Sequence, residues 1–321
     1  MKKYGFVLTD GTYLVEPRFG DAREFSEGLA VVKEGAKYGY IDRSGRMAIE
    51  PTFDWAGTFS KGKATVLRDR MRWEIDPTGA PLSEAEPCGF DALGGGRLGD
   101  ALESCRSRMA IESKEGTVIL PDPSDFSEGL GVAECFDSGC CGYVNEAWQF
   151  VIKPRFTEAD PFHGGLAVVQ NRRGRWGYIN TRGVYVIKAQ FADAYNFFED
   201  VARVKTLQEG WGYIDRNGAW AIAPRFSMAF DFRDGLALVV SEDGVAGYID
   251  HEGQWVIEPR FSHACSFSGG YAFAGEQDTY GLIDRTGRYI VEPRFVHATP
   301  FVDGIALVAV DDGSQTDGVG D

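Results

Sequence analysis

The chain has 321 residues, 44% hydrophobic and 25% charged, so it can bury a sizeable core and does not have the composition of a disordered polymer. Lys plus Arg number 33 and Asp plus Glu 48, a net charge of −15. That balance argues against nucleic acid, which demands positive charge to displace counterions, and against anionic lipid, while it favours a basic protein partner.

Met1-Lys2-Lys3 leads straight into Tyr4-Gly5-Phe6-Val7, without the apolar run that a signal core or a membrane span needs, so a cytoplasmic protein is expected. The same short string then recurs along the chain. Tyr38-Gly39-Tyr40-Ile41-Asp42 returns as Cys141-Gly142-Tyr143-Val144-Asn145, Trp176-Gly177-Tyr178-Ile179-Asn180 and Trp211-Gly212-Tyr213-Ile214-Asp215. Ala246-Gly247-Tyr248-Ile249-Asp250 and Tyr280-Gly281-Leu282-Ile283-Asp284 follow. Neighbouring copies lie 34 or 35 residues apart, except for one gap of 103 between Gly39 and Gly142. That gap holds two worn copies, one at Trp73-Glu74-Ile75-Asp76 and one around Ile111 to Gly116, which makes about nine repeats.

Each copy follows one grammar. The aromatic-Gly strand ends in Asp and a turn closing on Gly, as in Arg43-Ser44-Gly45. A second strand runs to a proline (Met47 to Pro51, Trp255 to Pro259), and Arg-Phe follows in most copies. A loop with room for one helical turn reaches a second Phe, and a Gly-Leu-Ala-Val-Val type strand closes the unit. Gly and Pro punctuating β-branched and aromatic runs mark strands and hairpins, and no repeat has space for an amphipathic helix. The fold class expected is all-β: a tandem array of three-stranded antiparallel units of about 35 residues, each completed by stacking on its neighbours. An open curved superhelix is the first choice and a closed propeller-like ring the second, since closure removes strand edges. Residues 1–70 read as N-terminal repeats, 71–116 as degenerate repeats with an irregular insertion, 117–310 as regular repeats and 311–321 as an acidic flexible tail.

A glycine inside a strand weakens it unless something uses the missing side chain, and the expected use is an aromatic ring lying over it. The repeated Asp (42, 76, 215, 250, 284) precedes a turn, where its carboxylate can bond backbone two residues on, so it reads as a turn residue rather than a catalytic row. No strict pairing of this Asp with the Arg after proline is expected within a repeat, because Arg18 and Arg155 occur in copies whose Asp slot holds Leu8 and Asn145.

These residues resemble the WG repeat family (also called KWG), whose pattern is a Trp-Gly-x-Ile-Asp strand, a turn ending in Gly, a strand ending in Pro-x-Phe and then Phe-x-x-Gly-Leu-Ala-x-Val, with Tyr, Cys or Ala replacing the Trp in several copies here. Trp176-Gly177 and Trp211-Gly212 fit it to the letter, while Trp73 is followed by Glu74 and 88–108 departs from the grammar altogether. The family is β-rich and carries no catalytic motif. The resemblance therefore implies a binding array and transfers no catalytic residue.

Direct searches for chemistry agree. There is no nucleophile elbow, phosphate loop or His-Glu-x-x-His, and Gly94-Gly95-Gly96 lacks the strand-to-helix context of a phosphate cradle. His263 and His297 occupy one slot in successive repeats, but Asp193 and Met228 fill it elsewhere, so no metal or other cofactor is expected. Cysteines 88, 105, 135, 140, 141 and 265 are irregularly spaced, and the vicinal Cys140-Cys141 reads as two free thiols.

The turns offer a charge asymmetry. Those joining a closing strand to the next aromatic-Gly strand carry Glu34, Asp137, Glu209, Glu242, Asp243 and Asp278, with Arg172 and Arg173 as exceptions. Those after the repeated Asp carry Arg43, Lys114, Arg182, Arg216 and Arg285. Stacking in register would give an acidic rim and a basic rim. The partner-binding residues expected are Glu34, Glu209, Glu242, Asp243 and Asp278, with Glu84, Glu86 and Asp91 from the irregular segment. The function expected is a non-catalytic protein-binding module, in its narrowest form a bacterial inhibitor or immunity protein that occupies a basic toxin. The alternatives are a glycan or small-molecule array on exposed Trp or Tyr faces, and an enzyme with a carboxylate site at 71–116.

Overall fold

The computed structural model describes residues 1–87, 110–113, 116–121, 125–311 and 313. The chain divides into two units, one of Met1–Cys105 with Arg260–Asp321 and one of Arg106–Pro259. Among the described residues no α-helix occurs, and the strands form eight small antiparallel sheets.

A regular sheet of the second unit shows the design. Its strands are Glu158–Ala159, Leu166–Gln170, Trp176–Asn180 and Tyr185–Phe191, paired in that order. The middle two alternate Ala167↔Ile179, Val168↔Tyr178 and Val169↔Gly177, and both are buried along nearly their whole length. The two-residue strand stands where the sequence allowed a helical turn. The chain after Arg-Phe stays extended and adds a fourth strand, with Glu158↔Gln170 and Ala159↔Val169. Each sheet thus combines the end of one sequence repeat with the start of the next.

The two-residue strand runs into a tight hairpin. Ser26 and Leu29 exchange backbone hydrogen bonds across Glu27 (φ 50°) and Gly28 (φ 87°), a type I′ turn whose twist matches the strands it joins. After the aromatic-Gly strand, Gly45 N donates to Asp42 O and Asp42 N donates to Arg46 O, a three-residue loop with Gly45 at φ 78°.

In the second unit the segment around Ile111 to Gly116 is not a sheet of its own. Ala110–Ser113 and Gly116–Ile119 form a hairpin that joins Leu130–Cys135, Cys140–Asn145 and Phe150–Phe156 in a five-stranded sheet, where it replaces the two-residue strand. In the first unit Lys2–Leu8 pairs along its whole length with Ile305–Asp311, so one sheet is assembled from both ends of the chain. Of the tail expected at 311–321, residues 312 and 314–321 lie outside the described residues.

Packing repeats as faithfully as the strands do. The tyrosines 40, 143, 178 and 213 are fully buried, and each ring meets the second Phe of its unit (59, 162, 197, 232) at 4.8–5.0 Å between centroids. Edge or tilted contacts of this kind contribute about 0.5–1.5 kcal/mol beyond the area they bury. The hydroxyls donate to the carbonyls of Gly57, Asp160, Tyr195 and Phe230 at 2.7–2.8 Å, always 17 residues on. Without such a partner, a buried hydroxyl would bear its desolvation cost uncompensated.

Candidate functional site

The repeated glycine has a different use from the one expected. Trp176 pairs with Phe191 and Tyr178 with Ile187, so Gly177 alone on one strand faces three residues on the other. The proline strand absorbs the surplus as a bulge, and its backbone bows onto Gly177. A methyl there would lie 2.6 Å from Ala189 N and 2.7 Å from Ile187 O. At Gly5, Gly39, Gly212 and Gly247 the same space is taken by a backbone carbonyl and the proline, at 2.5–2.8 Å. Rings press as well at Gly247 (Trp255, 2.9 Å) and Gly281 (Tyr289, 2.7 Å). So backbone, not an aromatic ring, fills the missing side chain's place. Glycine and proline belong to one feature, because the bulged residues leave the ladder and a missing N–H costs nothing there. Gly39, Gly142, Gly177, Gly212, Gly247 and Gly281 are all buried.

The repeated Asp is a turn residue, as expected. Asp42 Oδ1 accepts from Ser44 N (2.8 Å) and Arg46 N (3.0 Å), and Asp215 accepts from Asn217 N and Ala219 N, both at 2.9 Å. Asn145 and Asn180 make the same pair of bonds. A bond from Ser44 Oγ, reinforced by the Arg46 N–H, holds Asp42 below the ordinary carboxylate range; the Ala219 N–H leads for Asp215. The Arg after proline reaches no Asp. Arg155, Arg225 and Arg260 donate to the carbonyls of Gly183, Gly253 and Gly287 in the next turn, and each guanidinium covers the adjacent Phe at 4.9–5.0 Å.

The two ends of the sheets differ in charge, but not as two simple rims. The type I′ turns lie at the same end as the Asp-x-x-Gly turns, since Leu29 pairs with Asp42 and Leu166 with Asn180. This third row of turns is acidic. Glu27 accepts from Lys61 N (2.7 Å) and Gly62 N (2.9 Å), Glu128 from Gly165 N (3.0 Å) and Glu199 from Gly235 N (3.1 Å). Ser26 Oγ donates to Phe59 O and Ser127 Oγ to Phe162 O, again one unit on. The expected basic rim is therefore engaged at two of its members. Arg43 is paired with Asp303; Arg216 meets Asp200 at 3.4 Å and donates to Gly164 O at 2.8 Å. His251 joins them, 3.0 Å from Glu199. Lys114 lies outside the described residues.

At the opposite end the hairpins are exposed. In the second unit Glu209, Glu242 and Asp243 have no basic side chain paired with them among the described residues; in the first unit the same holds for Glu34 and Asp278. Glu84 and Glu86 lie elsewhere. They follow the Asp76 turn, where Glu86 pairs with Arg72 at 3.3 Å and both carboxylates line a groove of about 330 Å³ with Thr65, Trp73, Glu74 and Ser83. A second groove of about 360 Å³ flanks Trp73 on the Arg68, Met71 and Pro81 side. Asp91 and Gly94 to Gly96 lie outside the described residues, as do Cys88 and Cys105.

One site escaped the sequence reading. Arg203 stands in a strand slot that holds Val31, Val168 or Leu238 in other copies. Its guanidinium lies 3.5 Å from the centre of the Tyr195 ring, near Trp211, and its Nε donates to Asp231 at 2.7 Å. With side chains 16% and 21% exposed, this ion pair is largely enclosed. A lone charge in an apolar slot was its signal. The tryptophans do not form a repeated exposed platform: Trp211 is 9% exposed, Trp176 and Trp255 are half-buried, and the more open Trp220 sets its edge against Phe191.

Among the described residues no group of three or more His, Cys, Asp or Glu is arranged to hold a metal, and no helix is long and apolar enough to cross a membrane. A family model described as WG containing repeat matches residues 4–38, 38–69, 142–173, 176–207, 211–244, 247–276 and 280–313. A search of curated proteins found no match. Among solved structures the chain is similar to one titled as a eukaryotic initiation factor, at 10% identity and a TM-score of 0.51, covering 92% of this chain and 96% of that one. The computationally designed Ika8 protein matches at 14% identity and TM-score 0.44, covering 90% and 92%, and BamB from Moraxella catarrhalis at 12% and 0.32, covering 91% and 82%. At such identities the likeness concerns the fold alone.

Proposed function

We propose that this chain, which belongs to the WG containing repeat family, is a non-catalytic protein-binding module whose exposed acidic hairpins receive a basic protein. In the narrower form the partner is a basic toxin or effector and the chain its inhibitor or immunity protein. One observation carries the reading. At one end of the sheets Arg43, Arg216 and His251 are paired with acidic turn residues while Arg182 and Arg285 stay exposed, whereas at the other end Glu209, Glu242 and Asp243 are exposed without a basic partner among the described residues. Carboxylates left in this state cost little in the free protein and gain Coulomb energy when a cationic surface docks, which raises the association rate above all. The repeat positions themselves are committed to packing: glycine to the bulge, tyrosine to a distant carbonyl, aspartate to its own turn.

The test is affinity capture from the chain's own cells at about 0.05 M and about 0.5 M salt, where screening shortens from over 10 Å to a few ångströms. A specific basic partner should be retained at low salt, lost at high salt and lost to the triple variant E209K/E242K/D243K. Retention unchanged by salt and by that variant would remove the acidic hairpins from the mechanism. A retained partner that is not a toxin or effector would remove only the narrower form.

A further inference from the structure

Three of the four described cysteines fall in one hairpin of the second unit. Cys135 ends the strand Leu130–Cys135, Cys140 begins Cys140–Asn145, and the two are directly paired in the ladder. Direct partners in an antiparallel pair point to the same face, whereas Cys141, next along the strand, points to the other and pairs with Glu134. The vicinal Cys140-Cys141 is thus the wrong couple, and the right one spans the loop of Cys135-Phe136-Asp137-Ser138-Gly139-Cys140. Phe136 N–H donates to Thr117 O on the outer neighbour, so Cys135, one residue before, turns its backbone groups toward Cys140. That makes them a hydrogen-bonded pair, with a Cα separation of about 5.5 Å, inside the range of roughly 4.4–6.8 Å that disulfides span. Cβ atoms in such pairs stand slightly wide of the usual disulfide spacing, and a bond closed there is strained and readily reduced.

We propose that Cys135 and Cys140 are a reversible redox site, oxidised to a cross-strand disulfide by small-molecule disulfides and reopened by thiols. Both side chains are buried, at 1% and 4% exposure, but they sit at the last rung of the ladder beside a four-residue loop, where opening is cheapest. Arg172 Nη2 is 3.8 Å from Cys140 Sγ, in place to hold the negative charge that gathers on this sulfur during exchange. Cys140, having lost its proton, attacks one sulfur of the small disulfide. A mixed disulfide forms, and the departing thiolate takes up that proton. The deprotonated Cys135 sulfur then attacks Cys140, closing the ring bond and expelling the second small thiolate, which takes the Cys135 proton. Two protein thiols are oxidised and one disulfide is reduced to two thiols.

Cys141 stands apart in environment too. It is half-buried, with Sγ 4.0 Å from Thr157 O, and burial first, then Glu134, pushes its thiol up to about 11. It remains a thiol at neutral pH.

The test uses the full chain, incubated with oxidised glutathione, alkylated without reduction and cut before Asp137 by an aspartate-specific protease. The Cys135 and Cys140 peptides should migrate as one linked species that dithiothreitol separates, with Cys141 alkylated. C141S should give the same link, and C135S should leave Cys140 carrying glutathione. Alkylation of both Cys135 and Cys140, or a link from either to Cys88, Cys105 or Cys141, would overturn the assignment.

Discussion

The sheet around Trp176–Asn180 and the sheet around Met71–Ile75 begin from similar strings and end differently. By ladder register Val169 faces Gly177, but Val66 faces Trp73. Trp73 therefore occupies the glycine slot itself, and Glu74 that of the buried tyrosine, one place from where the spelling Trp-Glu-Ile-Asp suggests. With a ring where backbone should bow in, the bulged seven-residue strand cannot form. A looser edge replaces it: Ile75 bridges Pro81, Leu82 N donates to Glu74 O, Ser83 Oγ accepts from Glu74 N, and Glu86–Pro87 pairs with Met71 and Arg72. Trp73 meets Phe53 edge-on at 6.0 Å, a contact made in other sheets by the first residue of the proline strand, as Trp220 does on Phe191. The two grooves flank Trp73 because the seven-residue strand is missing there. One substitution thus exchanges a closed edge for an open one.

That contrast can be broken most forcefully at Gly212, where a methyl would lie 2.7–2.8 Å from Ile222 O and Pro224. Gly212→Ala should cost about 3 kcal/mol or more in urea unfolding, since backbone on both sides must move. Trp73→Ala, at the equivalent slot, should cost about 1–2 kcal/mol, the loss of one half-buried ring contact. Equal costs would mean that glycine is not matched to the bulge. At the next slot, Tyr178→Phe strands the Tyr195 carbonyl and should lower stability by about 1 kcal/mol, whereas Glu74→Ala should fall within about 0.5 kcal/mol. The smallest effect belongs to the turn. Asp215 titrates below its unfolded value, so its contribution is full above a pH of about 4 and is lost as pH falls through the depressed folded value. Asp215→Asn should leave the melting temperature at pH 7 nearly unchanged, as Asn145 and Asn180 make the same bonds, and should flatten the acid limb of the stability curve.

Much of the fold was legible because packing and turn chemistry use the same residues in every copy. Spacing located the strands, and Asp-x-x-Gly announced its own turn. The two-residue strand was not legible, since its residues (Asp21-Ala22, Met228-Ala229, His263-Ala264) share only an alanine and are set by pairing with a distant strand. The function of the glycine was misread because a bulge is a property of two strands and leaves no mark in either alone. The acidic hairpins were legible; the third row of turns, which brings Asp303 to Arg43 and Asp200 to Arg216, was not, although Ser26-Glu27-Gly28 and Ser127-Glu128-Gly129 spell one such turn about three repeat lengths apart.

The pairing of Lys2–Leu8 with Ile305–Asp311 carries a consequence for synthesis. On the ribosome Lys2–Leu8 must wait, unpartnered along that edge, until Ile305–Asp311 has emerged, while each sheet of Arg106–Pro259 meets its mates within a few dozen residues. A stalled or truncated nascent chain should therefore expose Tyr4, Phe6 and Val7 to holdase chaperones, although the sheets between have already closed.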